Sequence, residues 1–316
     1  MHNHIHETHN WNYVQYQASA VGGEGIDIKE HSKNGTVHHN YVYNLQRPSL
    51  YIDAWNSKDT RNIEMYNNVS HNTQGMALGC EDGGMLRNIK VYNNLSYNHW
   101  LVGLELADWA KGGVKQGIYI VNNTFFNNWE GAMRLGSEKH QDLFVLNNIA
   151  HMNGRGRFPD IRKEEARIAD FSHNLIGEDP RFVEPGNHEY TLKEESPAID
   201  AGKAPPFEIP FDLNGAPRVV GESIDIGAFE YGGQPVSPRV IYVGKRGSDE
   251  FPGTFYVPYR TIGKALSKAK PGDRIVIRSG IYAETLSLTS FEGRRDVGEG
   301  LEIMGLGQVV ITPANG

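Results

Sequence analysis

Five short apolar segments recur along this chain at nearly constant intervals, and that periodicity leaves few architectures open. Ile26-Asp27-Ile28-Lys29, Leu50-Tyr51-Ile52-Asp53-Ala54-Trp55, Met76-Ala77-Leu78-Gly79-Cys80-Glu81, Leu104-Glu105-Leu106-Ala107-Asp108-Trp109 and Met133-Arg134-Leu135-Gly136 align on one aliphatic position. The steps from Ile28 to Ile52, Leu78, Leu106 and Leu135 are 24, 26, 28 and 29 residues. A unit of this length cannot bury its apolar face alone, so it must stack on others like itself.

A second series keeps the same period. Asn recurs at 40, 68, 94, 123, 148 and 174, after a β-branched or aliphatic run in most units, with spacings of 28, 26, 29, 25 and 26. An amide at the same corner of every unit can pass hydrogen bonds up a stack, and Asn tolerates the left-handed backbone of a sharp corner. Two or three strands per unit with turns at Gly and Asn predict an all-β fold, a right-handed parallel β-helix. A leucine-rich repeat would need Leu spacing and helical segments that are absent.

The chain is expected to divide into β-helix coils over 1–176, a closing segment over 177–231, a linker over 232–239 and a last segment over 240–316. Residues 10–24, with Trp11, Tyr13 and Tyr16, read as an aromatic loop lengthening the first coil. In the last segment Ile262, Ala265, Leu266 and Ala269 fall at i, i+3, i+4 and i+7, which predicts one short capping α-helix.

Composition narrows the partners. Among 316 residues, 39% are hydrophobic and 22% charged, and a net charge of −7 disfavours nucleic acid. No apolar run is long enough to span a membrane. Cys80 is the only cysteine, so no intrachain disulfide forms. Met1-His2-Asn3-His4-Ile5-His6 lacks the apolar core of a signal peptide. His2, His4 and His6 alternate as strand residues on one face would; no carboxylate ligand stands clearly beside them, and no metal site is expected.

Residues flanking the buried aliphatics point outward. One side of the stack therefore presents Asp27 and Lys29, Tyr51 and Asp53, Glu81, Glu105 and Arg134, with Trp55 and Trp109 at strand ends. Acids, bases and flat rings along a groove suit sugar recognition, so the expected partner is a carbohydrate. Glycoside hydrolysis needs two carboxyls. Asp53 and Glu81 lie on adjacent coils, with backbones about 8 Å apart from strand spacing and rise.

Several resemblances sharpen these expectations. Ser196-Pro197-Ala198-Ile199-Asp200-Ala201-Gly202 and Asp225-Ile226-Gly227-Ala228-Phe229-Glu230-Tyr231 resemble the segment that closes many secreted bacterial right-handed β-helix proteins, which implies a secreted or periplasmic location and a cover over the last coil. Residues 240–316 resemble the segment that opens such a helix, which implies a circularly permuted order or a window across tandem domains. The strand Tyr51-Ile52-Asp53-Ala54-Trp55, with Glu81 one coil later, resembles the β-helical xylosidases of glycoside hydrolase family 120. That likeness implies a nucleophile at Asp53, an acid/base at Glu81 and no cofactor; Ala54 between Asp and Trp departs from the family.

Asp27-Ile28-Lys29-Glu30-His31-Ser32-Lys33-Asn34 loosely resembles the lysine-bearing strand of alginate and chondroitin lyases. In that alternative Lys29, Arg134, Tyr51 or a histidine would serve β-elimination from a uronic acid, and calcium could sit on Asp27, Asp53 and Glu81. A non-catalytic glycan-binding solenoid is the third alternative.

Overall fold

The computed structural model describes residues 4–6 as backbone, and 23–107, 113–136, 139–163, 166–234, 239–251, 253–254, 257–270, 272–286 and 301–313. The chain forms two compact units, one of residues 1–181 with 192–233, the other of residues 182–191 with 234–316.

The first unit is a parallel β-solenoid built from three sheets. One sheet stacks Ile26–Ile28, Leu50–Ala54, Met76–Cys80, Val102–Ala107, Gly131–Arg134 and Ile161–Arg162; we call it the site sheet. The second stacks six longer strands from Lys33–His38 to Ile168–Ser172, and the third stacks seven short strands, among them Tyr41–Tyr43, Val69–His71 and Leu95–Tyr97. Every pairing is parallel, and the register is the one the repeat predicts. Ile28 stands opposite Ile52, Ile52 opposite Leu78, Leu78 opposite Leu106, and Glu105 opposite Arg134.

Alternation then sends one set of side chains inward. Leu50, Ile52, Met76, Leu78, Leu104, Leu106, Met133 and Leu135 are buried in one continuous core, with Ile26 and Ile28 packed against it at the first coil. Burying each such side chain contributes roughly 1.5–3 kcal/mol.

The amide ladder forms at the corner between the second and third sheets. Asn40 Nδ2 donates to Asn68 Oδ1 at 2.8 Å, Asn68 to Asn94 at 2.9 Å, Asn94 to Asn123 at 3.0 Å, Asn123 to Asn148 at 3.0 Å and Asn148 to Asn174 at 2.9 Å. The left-handed residue is not the ladder Asn, however. It is the one before it: His39, Asn67, Asn93, Asn122, Asn147 and His173 have φ between 49° and 55°. The positive φ turns the chain, so the following Asn points inward and the preceding side chain points out. A second ladder runs at the opposite corner through Thr73, His99, Asn128 and Asn153.

The outward Asn side chains hold the closing segment, and here the structure corrects the sequence reading. Rather than covering the last coil, residues 203–228 run along the flank of the stack. Asn147 Nδ2 donates to Lys203 O, Asn122 to Asp225 O, Asn93 to Phe211 O and Asn67 to Asp212 O. Ile209 packs with Tyr92, Val121 and Leu146, and the Phe207 ring meets Tyr92 and Tyr119 edge-on.

The phrases that mark this segment in sequence fasten it to itself. Asp212 accepts from the backbone of Asn214, Ala216 and Glu230; Asp225 from Asp200 and Tyr231; Glu230 from Val220 and Asp225. Arg218, fully buried, donates to the carbonyls of Asp225 and Gly227. Burial pushes the Glu230 carboxyl up to about 7.

In the second unit Val240–Val243, Arg274–Ala283 and Glu302–Thr312 form a parallel sheet. Arg274 stands opposite Glu302, a step of 28 residues like that of the solenoid. The predicted helix is Ile262–Lys268, capped by the Thr261 hydroxyl accepting from Lys264 N. Its buried Ile262, Ala265 and Leu266, with Ala269, pack on Ile241, Val243, Ile275 and Ile277 of the same unit.

Candidate active site on the outer face of one sheet

The outer face of the site sheet is ordered by register. One row of facing residues is Asp27, Tyr51, Ala77, Glu105, Arg134 and Arg162. The next row places Asp53 opposite Gly79, and Gly79 opposite Ala107. Glu81 lies two residues beyond Gly79, its backbone N–H donating to Ala54 O at 2.9 Å. Glu81 thus follows the end of the strand beside that of Asp53.

Asp53 is fully buried although it faces outward. Lys29 reaches over it, with Nζ 3.1 Å from Asp53 Oδ2 and 3.3 Å from Asp27 Oδ2. The ammonium lies 4.8 Å from the centroid of the Tyr51 ring, and the Tyr51 hydroxyl bonds to Asp53. Burial first, and then the charges of Asp53, Glu81 and Asp27, raise the Tyr51 pKa, so the phenol stays protonated and donates. Asp53 Oδ1 finds no hydrogen-bond partner among the described residues. A buried carboxylate oxygen left in that state is costly and calls for an explanation.

Gly79 makes the arrangement possible. A Cβ there would overlap the Tyr51 hydroxyl and ring, so only glycine lets the phenol cross to Asp53.

Glu81 is also buried, and its pKa is raised by burial first and then by the charges of Asp53 and Asp82, against the opposing pull of Lys29 and Lys115. Lys29 is raised as well: burial works against its charge, but the bond to Asp53 and the field of Asp27 outweigh it. Asp27 is raised by burial, with Lys29 opposing. A neutral-leaning acid beside an ion-paired carboxylate is the environment split that separates acid and base roles.

Trp55 is tied to the neighbouring turn. Its indole Nε1 donates to Asp82 Oδ2 at 2.8 Å, so it fixes the turn after Glu81. Glu105 and Arg134 pair with each other, Arg134 Nη1 to Glu105 Oε1 at 2.7 Å, while Arg134 Nη2 and Arg162 Nη2 both reach Glu130 Oε2, at 2.8 and 3.1 Å. Trp109, Asp108 and most of the 10–24 loop lie outside the described residues, as do the side chains of His2, His4 and His6.

Sequence reasoning passed over Lys115. Its ammonium is fully buried and donates to Ala107 O at 2.6 Å. Lys115 pairs in register with the core residue Leu86, so a lysine in a core-phase position was the available signal. Among the described residues no group of three or more His, Cys, Asp or Glu has the arrangement of a metal site.

No protein-family model matches the chain, and neither does any curated protein. Among solved structures, the crystal structure of pectate lyase Pel9A aligns with a TM-score of 0.38 at 15% identity. The alignment covers 72% of this chain and 64% of that one, so this chain spans less than two thirds of it.

Proposed function

We propose that the protein is a carbohydrate-active enzyme of the glycoside hydrolase type, with Glu81 as proton donor and Asp53 as nucleophile or base. The observation that carries this reading is the carboxyl pair on adjacent coils in unlike environments. Glu81 is shielded with a raised pKa, and Asp53 is held by Lys29 and Tyr51 with one oxygen unused. Protonation of a leaving oxygen asks for the first, and attack on the anomeric carbon or on water asks for the second. The Lys29 side chain is half exposed. Its withdrawal toward Asp27 or solvent is the motion that opens Asp53 to a sugar.

The β-elimination alternative is less well supported. Lys29 is engaged by two carboxylates and its pKa lies above the ordinary lysine value, the opposite of what a base needs. Arg134, which would neutralise a uronate, is occupied by Glu105 and Glu130.

Product analysis on a panel of neutral and uronic-acid glycans tests the proposal. New reducing ends without ultraviolet-absorbing unsaturated products are expected. Unsaturated products, or cleavage unaffected by Glu81→Gln, would overturn it.

A further inference from the structure

All three tryptophans among the described residues are more than a third exposed, Trp55 at 36%, Trp100 at 44% and Trp129 at 41%. Tryptophan is on average a highly buried residue, so three exposed indoles ask for a reason. Trp55 has one in its bond to Asp82. Trp100 and Trp129 have no such bond among those found, and they share a location. Trp100 N donates to Thr73 O and Trp129 N to His99 O, which puts them on successive coils at the same corner, just before the site-sheet strands Val102–Ala107 and Gly131–Arg134. The two backbones are therefore roughly 4.8 Å apart along the stack.

On the next coil Gly154, Arg155 and Gly156 all have positive φ, at 69°, 44° and 69°, the left-handed conformation the stack also uses at its other corners. Here it places the Arg155 guanidinium over the Trp129 ring, 4.2 Å from the centroid. Beside Trp129, Glu130 anchors Arg134 and Arg162. The corner thus joins flat apolar faces to fixed donors and acceptors, and it is continuous with the sheet that bears Asp53 and Glu81.

We infer that Trp100 and Trp129, with Arg155, form a remote subsite for the neutral pyranose rings of a glycan chain. Stacking suits the C–H faces of a pyranose, and the polar neighbours suit its hydroxyls. Arg134 and Arg162 are already paired with Glu105 and Glu130, so they are not free to hold a polyanion. Two to three coils along and seven residues across separate the pair from the row of Asp53, roughly 25 Å in all. That is more than a disaccharide spans, so the ligand is a chain of several sugars. The inference rests on the reading of a carbohydrate substrate.

Calorimetric titration of the whole protein with xylo-, cello- and mannohexaose, the matching disaccharides and hexagalacturonate tests it. One or more neutral hexasaccharides should bind, and Trp100→Ala and Trp129→Ala should each weaken that binding about three- to tenfold. Disaccharide affinity should stay unchanged, and Trp→Phe at either position should restore part of the loss. Unchanged hexasaccharide affinity, no neutral hexasaccharide bound by the wild type, an equal loss for disaccharides, or tryptophan-dependent binding of hexagalacturonate alone would each overturn it. Tryptophan-dependent binding without any cleavage would leave the subsite standing and remove the hydrolase reading instead.

Discussion

The two halves of one sheet face show how the same scaffold makes either a settled surface or an unsettled one. Toward the later coils, Glu105 and Glu130 meet Arg134 and Arg162, two carboxylates against two guanidiniums. Toward the earlier coils, Asp27 and Asp53 share the ammonium of Lys29, and Glu81 feels its field without pairing to it. The backbone is alike in both, parallel and in register. The difference lies in charge balance and burial. Shifted titration gathers in the unbalanced half, which is where catalytic groups are expected, while each half leaves a buried atom without a hydrogen-bond partner among the described residues, Asp53 Oδ1 and Arg162 Nε.

Substitution of the carboxylates should separate the halves most widely. Asp53→Asn and Glu81→Gln are each expected to lower turnover by about 10²–10⁴-fold with the fold intact, the usual worth of a positioned acid or base. Glu105→Gln should leave turnover within a few-fold. Equal losses in both halves, read by initial rates on one active glycan, would erase the distinction.

Removing the cations should separate them by stability. Lys29→Met leaves Asp53 buried and unpaired, at a cost of about 3 kcal/mol, the low end for a broken buried pair because Lys29 is itself half exposed. Arg134→Met, from a partly exposed and shared network, should cost about 1 kcal/mol or less. Chemical denaturation gives both numbers, and a reversed order would refute the charge argument. For scale, Asn94→Ala interrupts the ladder and should cost about 1–3 kcal/mol, independent of either half.

Gly79→Ala is a smaller and more local probe. The new methyl displaces the Tyr51 hydroxyl from Asp53, so turnover should fall about tenfold, the worth of roughly one hydrogen bond to a charged group, while melting changes little. Full activity would mean that Tyr51 does not orient Asp53.

The smallest effect is in pH dependence. Glu81 has a folded pKa above its unfolded value of 4.5, so the folded state holds its proton more tightly. Its contribution to stability is complete below about pH 4.5 and is lost as pH rises through the folded value. Glu81→Gln should therefore gain on the wild type in melting temperature as pH rises through that window. Asp53→Asn removes one of the charges that raise Glu81, and its titration, followed by carboxyl carbon resonance, should move down. No movement would mean that the two carboxyls do not sense each other.

Much of this face was legible in the sequence. Period 2 within strands and a near-constant step between them fix which side chains point in and which residues become neighbours. Asp53, Glu81, Lys29 and Tyr51 were thus placed on one face by spacing alone, and the ladder by the recurring Asn. What spacing cannot give is the direction of a long side chain. Arg134 and Glu105 pair with each other, and the Trp55 indole bonds to Asp82, contacts that spacing did not foretell. Trp100 and Trp129 were missed because their exposure is a property of the corner they occupy, not of any strand pattern.

The closing segment marks the same boundary. The change of pattern and the resemblance of its phrases to a closing segment told from sequence that the repeat ends there. Where it lies was decided by tertiary structure. The left-handed conformation before the ladder Asn turns a second amide outward at Asn67, Asn93, Asn122 and Asn147, and these amides donate to the passing chain along the flank. Local sequence carries the period and the register because those depend on neighbours along the strand and one coil away. Burial, charge pairing and the course of the flanking segment depend on groups brought together from as far as 145 residues apart, and only the folded chain makes those neighbours.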